Sequence, residues 1–312
     1  MKTLFFLFLL ISITHVSAQS DSVNESYYDN FIFYSDLGYY SCPFNVKVNK
    51  LGTFNYRNNI KPFVGIGLVY KWGSIRIGSL INYNLKGLDN YGDTKIFKIG
   101  TEFFYKRFLF DLSYYRLVGY TLLGNSSLLN NYKIYNDLTF QSFSVNSWFF
   151  YNKNFSHHAL KGIKQSVKKN NLTLYLKNTN AFTLIQNPEI ILPSKEILNL
   201  NKTAVEFNKI QAFEIGLLGG VAVATKIKQN YQFGGMFGYG GVIIDRSINN
   251  SVNYHNQIGL SSRYDFHLYF GYNKKNFFLM NYLDLEYRKM EFIDYEIDTR
   301  LVSYRLVGGY RF

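Results

Sequence analysis

From the Lys50 region to Phe312, apolar and polar residues alternate with a period of two, and no stretch there carries a good helical repeat. The last residues show the pattern most clearly. Val302, Tyr304, Leu306, Gly308, Tyr310 and Phe312 fall on one face, and Ser303, Arg305, Val307, Gly309 and Arg311 on the other. Neighbouring side chains of a strand point to opposite sides, so the two sets meet different environments. The first set suits hydrocarbon and the second a polar interior. In 258–272, Ile258, Leu260, Tyr264, Phe266, Leu268, Phe270 and Tyr272 oppose Gly259, Ser261, Arg263, Asp265, His267 and Gly271. In 279–288, Leu279, Leu283, Leu285 and Tyr287 oppose Asp284, Glu286 and Arg288.

Read this way, the chain predicts about twelve strands, near 43–57, 61–72, 74–85, 95–106, 107–120, 138–151, 155–178, 211–226, 231–244, 254–272, 277–289 and 298–312. Their connections sort by parity. Every second one is short, around Gly73, Lys106-Arg107, Asn152-Lys153-Asn154, Lys228-Gln229-Asn230 and Asn273 to Asn276. Those between run longer, with the link near Asn58 a short exception. Short turns at one end and long loops at the other mark an outer-membrane barrel. A soluble β-sandwich also alternates, but it does not require outward Phe and Tyr on almost every strand. The expected fold is therefore all-β: a transmembrane, antiparallel, up-and-down β-barrel.

Composition agrees. Phe, Trp and Tyr make up 19% of residues, while hydrophobic residues reach only 47%, as expected when every second position meets lipid. Pro, which removes ladder donors, occurs 4 times. The one long apolar run, Leu4–Ile13 after Lys2 and before Val16-Ser17-Ala18, reads as a cleaved signal peptide over 1–18. Residues 19–42 are expected as a periplasmic N-terminal segment whose aromatic part, Phe31–Tyr40, packs at the barrel mouth or inside it; the barrel is expected over 43–312. Export places the protein in the cell outer membrane. The net charge of +13 then points to solvated turns, or to phosphates of outer-membrane lipid and lipopolysaccharide, rather than to nucleic acid. Cys42 is the only cysteine, so an intramolecular disulfide is excluded; it reads as a buried small hydrophobe.

Several segments resemble one family. Phe54-Asn55-Tyr56-Arg57-Asn58-Asn59, followed by Val64-Gly65-Ile66-Gly67-Leu68-Val69-Tyr70-Lys71, is similar to a Tyr-x-Pro-Asn turn and Gly-x-Gly strand, with Asn58 in place of the Pro. Gly92-Asp93-Thr94-Lys95, Phe149-Phe150-Tyr151-Asn152 and the ending Gly308-Gly309-Tyr310-Arg311-Phe312 also match; Asn171-Leu172-Thr173-Leu174 stands where a Ser-Ala-Gly-Ser run is usual. The family is a Bacteroidota set of predicted outer-membrane barrels known as domain of unknown function 4421. The resemblance implies the fold and no particular activity.

The densest charged set with inward parity is Arg263, Asp265, His267, Asp284, Glu286, Arg288, Arg305 and Arg311. Across adjacent strands these groups can form a structural ion-pair plug, a narrow polar pore or a catalytic site. No convincing catalytic constellation appears. His255, Ser261 and Ser262 lack the spacing of a membrane lipase, and His267 with Asp265 has no obvious nucleophile beside it. His157-His158, read on a strand, point to opposite faces and cannot hold one metal ion together, so neither metal nor cofactor is expected. Lys161, Lys164, Lys168 and Lys169 read as a solvated strand end or a contact with lipid phosphates. Tyr304, Leu306, Tyr310 and Phe312 are expected to form the C-terminal signal for the barrel-assembly machinery. The role expected is structural or that of a passive pore with a polar, largely filled lumen. The alternatives are a membrane-embedded, lipid-acting hydrolase and a scaffold that holds a protein partner through loops such as 179–210.

Overall fold

The computed structural model describes residues 24–27, 29–48, 52–81, 93–123, 133–189, 191, 207–249, 254–292 and 295–312. The leader and its cleavage site lie outside the described residues. Among the described residues there are sixteen strands and one short helix, and twelve of the strands close into a ring. In chain order the strands are β1 (Asn24–Ser26), β2 (Ile32–Ser41), β3 (Phe44–Val48), β4 (Gly52–Arg57), β5 (Pro62–Tyr70), β6 (Gly73–Leu80), β7 (Lys95–Tyr105), β8 (Phe108–Leu123) and β9 (Lys133–Phe150). Helix α1 (His157–Lys161) follows, then β10 (Gln165–Val167), β11 (Asn171–Gln186), β12 (Lys209–Lys228), β13 (Tyr231–Asn249), β14 (Tyr254–Asn273), β15 (Phe277–Glu291) and β16 (Tyr295–Arg311). All pairings are antiparallel, and β16 closes the ring on β2 with Arg311 opposite Ile32 and Val302 opposite Ser41.

The period-two pattern becomes two surfaces. On β12, Phe213, Ile215, Leu217 and Val221 point outward, while Ala212, Glu214, Leu218 and Ala222 are buried inside. At the end with short turns, Tyr70, Trp72, Tyr105, Tyr151, Tyr231 and Tyr310 form an exposed aromatic girdle. Such rings sit at a membrane–water boundary, where one edge is apolar and the other is wet.

Two predicted elements differ. The segment 32–41 belongs to the wall as β2, so the barrel begins before position 43. Its inward Ile32, Tyr34, Asp36, Gly38 and Tyr40 alternate with outward Phe33, Ser35, Leu37 and Tyr39, and the aromatics on both faces hide the alternation in the sequence. The predicted strand 43–57 is instead a hairpin, β3–β4. β3 continues β2 along β16 in the same register, with Thr299 opposite Phe44. β4 pairs with the loop end of β8. The short link near Asn58 is therefore a jog between β4 and β5 on one side of the wall. Asn58 fixes it, its Oδ1 accepting from the Cys42 amide at 2.9 Å and the Ser41 hydroxyl at 3.1 Å.

Below that jog the β6–β7 hairpin is wedged between β5 and β8, and β8 must bend where its partner changes from β7 to β4. Gly119 makes the bend at φ +89°, where a Cβ would lie 2.3 Å from the Asp93 carbonyl oxygen. Beside it Lys61 donates to Asp93 at 2.7 Å, which holds that carboxyl below the usual carboxylate range.

The interior is filled in three layers. At the loop end it is an apolar core rather than the polar lumen expected. The Phe44 and Tyr56 rings stack at 4.5 Å, Tyr115 and Phe140 at 5.8 Å, and the loop residues Ile191 and Phe207 are buried among them. Cys42 is fully buried there. The middle layer carries charge. At the turn end the predicted strand 155–178 starts only at Asn171, and residues 155–170 fold inward as a plug of α1 and β10, with β10 pairing β1. Ser156 caps α1, and Gly162 ends it in the left-handed region at φ 72°.

If the outward face meets hydrocarbon, Leu217→Arg on the exposed face of β12 costs about 2–4 kcal/mol. Reversible unfolding from phospholipid vesicles measures it; a change below about 0.5 kcal/mol, usual for a water-facing site, contradicts that environment.

Candidate functional site

The middle layer is built by charged residues at inward positions of β2, β6, β7, β11, β12, β14, β15 and β16, with three each from β14 and β15. On β14 and β15, Arg263 stands directly opposite Arg288, and Asp265 opposite Glu286. Like charges so placed repel, and the side chains pair instead diagonally, along β15 and with β12. Arg263 reaches Glu214 at 3.3 Å and Glu286 at 3.2 Å, and Arg288 reaches Glu286 at 3.1 Å. Lys177 Nζ donates to Asp265 Oδ2 at 2.5 Å with both groups buried, and the Tyr175 hydroxyl donates to Asp265 Oδ1 at 3.3 Å.

A second cluster centres on Asp284. His267 Nδ1 lies 2.8 Å from its Oδ1, while Arg305 Nη2 and Ser303 Oγ donate to its Oδ2 at 2.8 and 3.0 Å. His267 Nε2 is 3.8 Å from Asp265. Both ring nitrogens thus face carboxylates, and neither is turned to a serine hydroxyl as a nucleophile–base pair requires. Arg76 grips Asp36 with two bonds of 2.7 and 2.6 Å, and Lys161 from the plug pairs with Glu102. A cavity of about 150 Å³ lies against this layer, with Lys98, Glu102, Asp111, Trp148 and Arg305 on its walls.

Of the eight lumen residues predicted, Arg263, Asp265, His267, Asp284, Glu286, Arg288 and Arg305 meet in these two adjacent clusters. Arg311 stands apart at the turn end, where it ties the plug to the wall. Its guanidinium donates to the carbonyls of Gly162, Ile163, Lys274 and Lys275 and to Asn273 Oδ1, at 2.6–3.2 Å. Tyr304, Leu306, Tyr310 and Phe312 all lie on the outward face. The paired histidines are not on a strand. His157 packs by Trp148 and Phe150, and His158 by Phe104. Lys161 and Lys164 lie in the plug within the barrel, while Lys168 and Lys169 are exposed.

Sequence reading missed Lys177, Glu214, Asp36, Arg76 and Glu102. Lys177, Asp36 and Arg76 are each the only charge of their strand, Glu214 is the only charge in the middle of β12, and Glu102 shares its face of β7 with Lys98, so an inward-parity signal was present at each. No sequence signal ties Lys161 to Glu102, because the strand predicted over 155–178 puts the plug in the wall.

A family model matches residues 21–312, described as Domain of unknown function (DUF4421). The chain belongs to that family. No curated protein matches it. Among solved structures, the outer membrane protease OmpT from Escherichia coli is similar at 9% identity and TM-score 0.44, with 92% of this chain and 98% of that one covered. The translocator domain of the autotransporter NalP from Neisseria meningitidis is similar at 10% identity and TM-score 0.45, covering 91% and 89%. The P. putida toluene transporter TodX is similar at 6% identity and TM-score 0.33, covering 91% and 90%.

Removing one partner of a buried ion pair leaves the other charge uncompensated. Lys177→Met therefore costs about 3–5 kcal/mol, and Lys177→Met/Asp265→Leu costs less than Lys177→Met alone. Denaturant unfolding of folded barrels measures both; a double variant at the sum of the two single losses contradicts the pairing.

Proposed function

We propose that this family member is a sealed outer-membrane barrel whose role is structural, exercised at its two ends rather than through a conducting lumen. The observation that carries this reading is the filling of the interior from both sides. The aromatic core closes the loop end, and the plug held by Arg311 closes the turn end. A hydrated ion passing through would have to cross closely packed rings, where it loses its water without gaining a ligand. The expected pore is thus disfavoured, and the charged middle layer acts as the ion-pair plug. The turn end faces the periplasm in this reading, since short turns are periplasmic in such barrels. Export through the 1–18 leader and insertion through the assembly machinery, with Tyr304, Leu306, Tyr310 and Phe312 presented outward on the last strand, complete it. Lipopolysaccharide phosphates then lie level with outward cations near the loop end, such as Lys95 and Arg116.

Purified full-length protein in planar bilayers is expected to give no discrete conductance steps at either polarity. Deleting residues 155–170 alone is expected to leave the bilayer silent, because the aromatic core stays in place. Reproducible steps from the unaltered chain contradict the sealed lumen.

A further inference from the structure

The turn end holds a second concavity, separate from the charged layer. It is a pocket of about 60 Å³ between the plug and the wall, with Lys168 on one side, Lys226 on another, and Lys274 and Lys275 on the β14–β15 turn. Among the described residues no carboxylate lines it. All four lysines are exposed, and none is held in an ion pair among the described residues. Four lysines that line one small space bring like charge together, and an anion placed among them relieves that repulsion.

The floor of the pocket is fixed in place. Gln232 and Asn273 are buried and bonded to each other at 3.0 Å. Gln232 also donates to the Ala159 carbonyl at 2.7 Å, and Asn273 to the Gln165 carbonyl at 3.2 Å, so wall and plug are locked together beneath the site. Tyr27 stands on the pocket rim, and behind its ring, 4.2 Å from the centroid, lies the Arg311 guanidinium, which adds positive potential without giving up its own bonds. The charges are therefore carried on a rigid frame rather than on a loose tail.

We propose that this pocket is a binding site for a phosphate group, either the headgroup of an anionic phospholipid or a small soluble phosphate compound. Four separate ammonium donors suit a tetrahedral oxoanion, whose oxygens point in different directions, better than a planar carboxylate. The volume is on the order of one such group. The site stands whether or not the lumen conducts, because it is lined at the turn end by exposed lysines, apart from the aromatic core and the charged layer.

The test uses the full chain folded in a neutral maltoside detergent, titrated with inorganic phosphate by calorimetry against chloride of matched ionic strength. Saturable binding is expected. Lys226→Gln/Lys274→Gln/Lys275→Gln is expected to weaken it by about tenfold or more, and Arg at the same three positions to restore it. Arg107→Gln/Lys133→Gln/Lys153→Gln removes as much charge elsewhere and is expected to stay within about twofold. Heat-modifiable gel mobility reports that each variant is folded. Nanodiscs separate the two sources: phosphatidylglycerol that displaces inorganic phosphate identifies a lipid headgroup, and unchanged phosphate binding beside it identifies a soluble compound. The proposal is overturned by the absence of saturation above the chloride control, or by equal weakening in the two triple variants.

Discussion

Backbone amides in hydrocarbon have no water to bond, so a sheet can cross a membrane only when its two edges pair with each other. Here that closure is the run of pairs between β16 and β2, from Val302 with Ser41 to Arg311 with Ile32. Once the ring closes, every wall residue is committed to one of two sides. Leu217 and Tyr304 can only face outward, and Glu214 and Arg305 can only face inward. A slip of one residue would exchange the two sets and drive charge into lipid, so the register and the alternation enforce each other.

What the ring encloses is then a packing problem. Strands of β12 to β14 length carry many more inward side chains than a membrane-thick polar channel needs. The chain divides them by height. Aromatic and aliphatic residues gather at the loop end, paired charges in the middle, and the α1–β10 plug at the turn end. The charged layer gains little net stability from its pairs, because desolvation offsets much of their attraction. Its larger effect is on specificity: Asp265, opposite Glu286, is paired by Lys177 of β11, and Arg263, opposite Arg288, by Glu214 of β12, so these like-charged positions favour the native placing of both strands.

The sequence made the strand number and the C-terminal half of the charged layer readable for a simple reason. In β14, β15 and β16, charges interrupt one face while the other stays apolar, so parity is visible at each residue. It failed where both parities look alike. Phe33, Tyr34, Tyr39 and Tyr40 place rings on both faces of β2. At the loop end, Leu117, Tyr120 and Leu122 point inward but are as apolar as a lipid-facing set, so nothing in the sequence marks them as an inner core. The plug was hidden because a five-residue helix is too short to show a helical repeat, and its buried His157 and His158 look like polar surface residues. The phosphate pocket is not legible in sequence at all: Lys168, Lys226 and Lys274 are far apart in the chain and line one pocket only because the end of the plug, the end of β12 and the β14–β15 turn come together.

Closure of β16 on β2 is most directly tested by a disulfide. Tyr39 and Tyr304 are register partners on the outward face. In a Cys42→Ala background, Tyr39→Cys/Tyr304→Cys protein folded into membranes should cross-link efficiently on mild oxidation, since opposed strand positions fall within the Cα separation of roughly 4.4–6.8 Å that a disulfide spans. Folded protein that forms no cross-link at this pair would contradict the closed ring and, with it, the assignment of inner and outer faces.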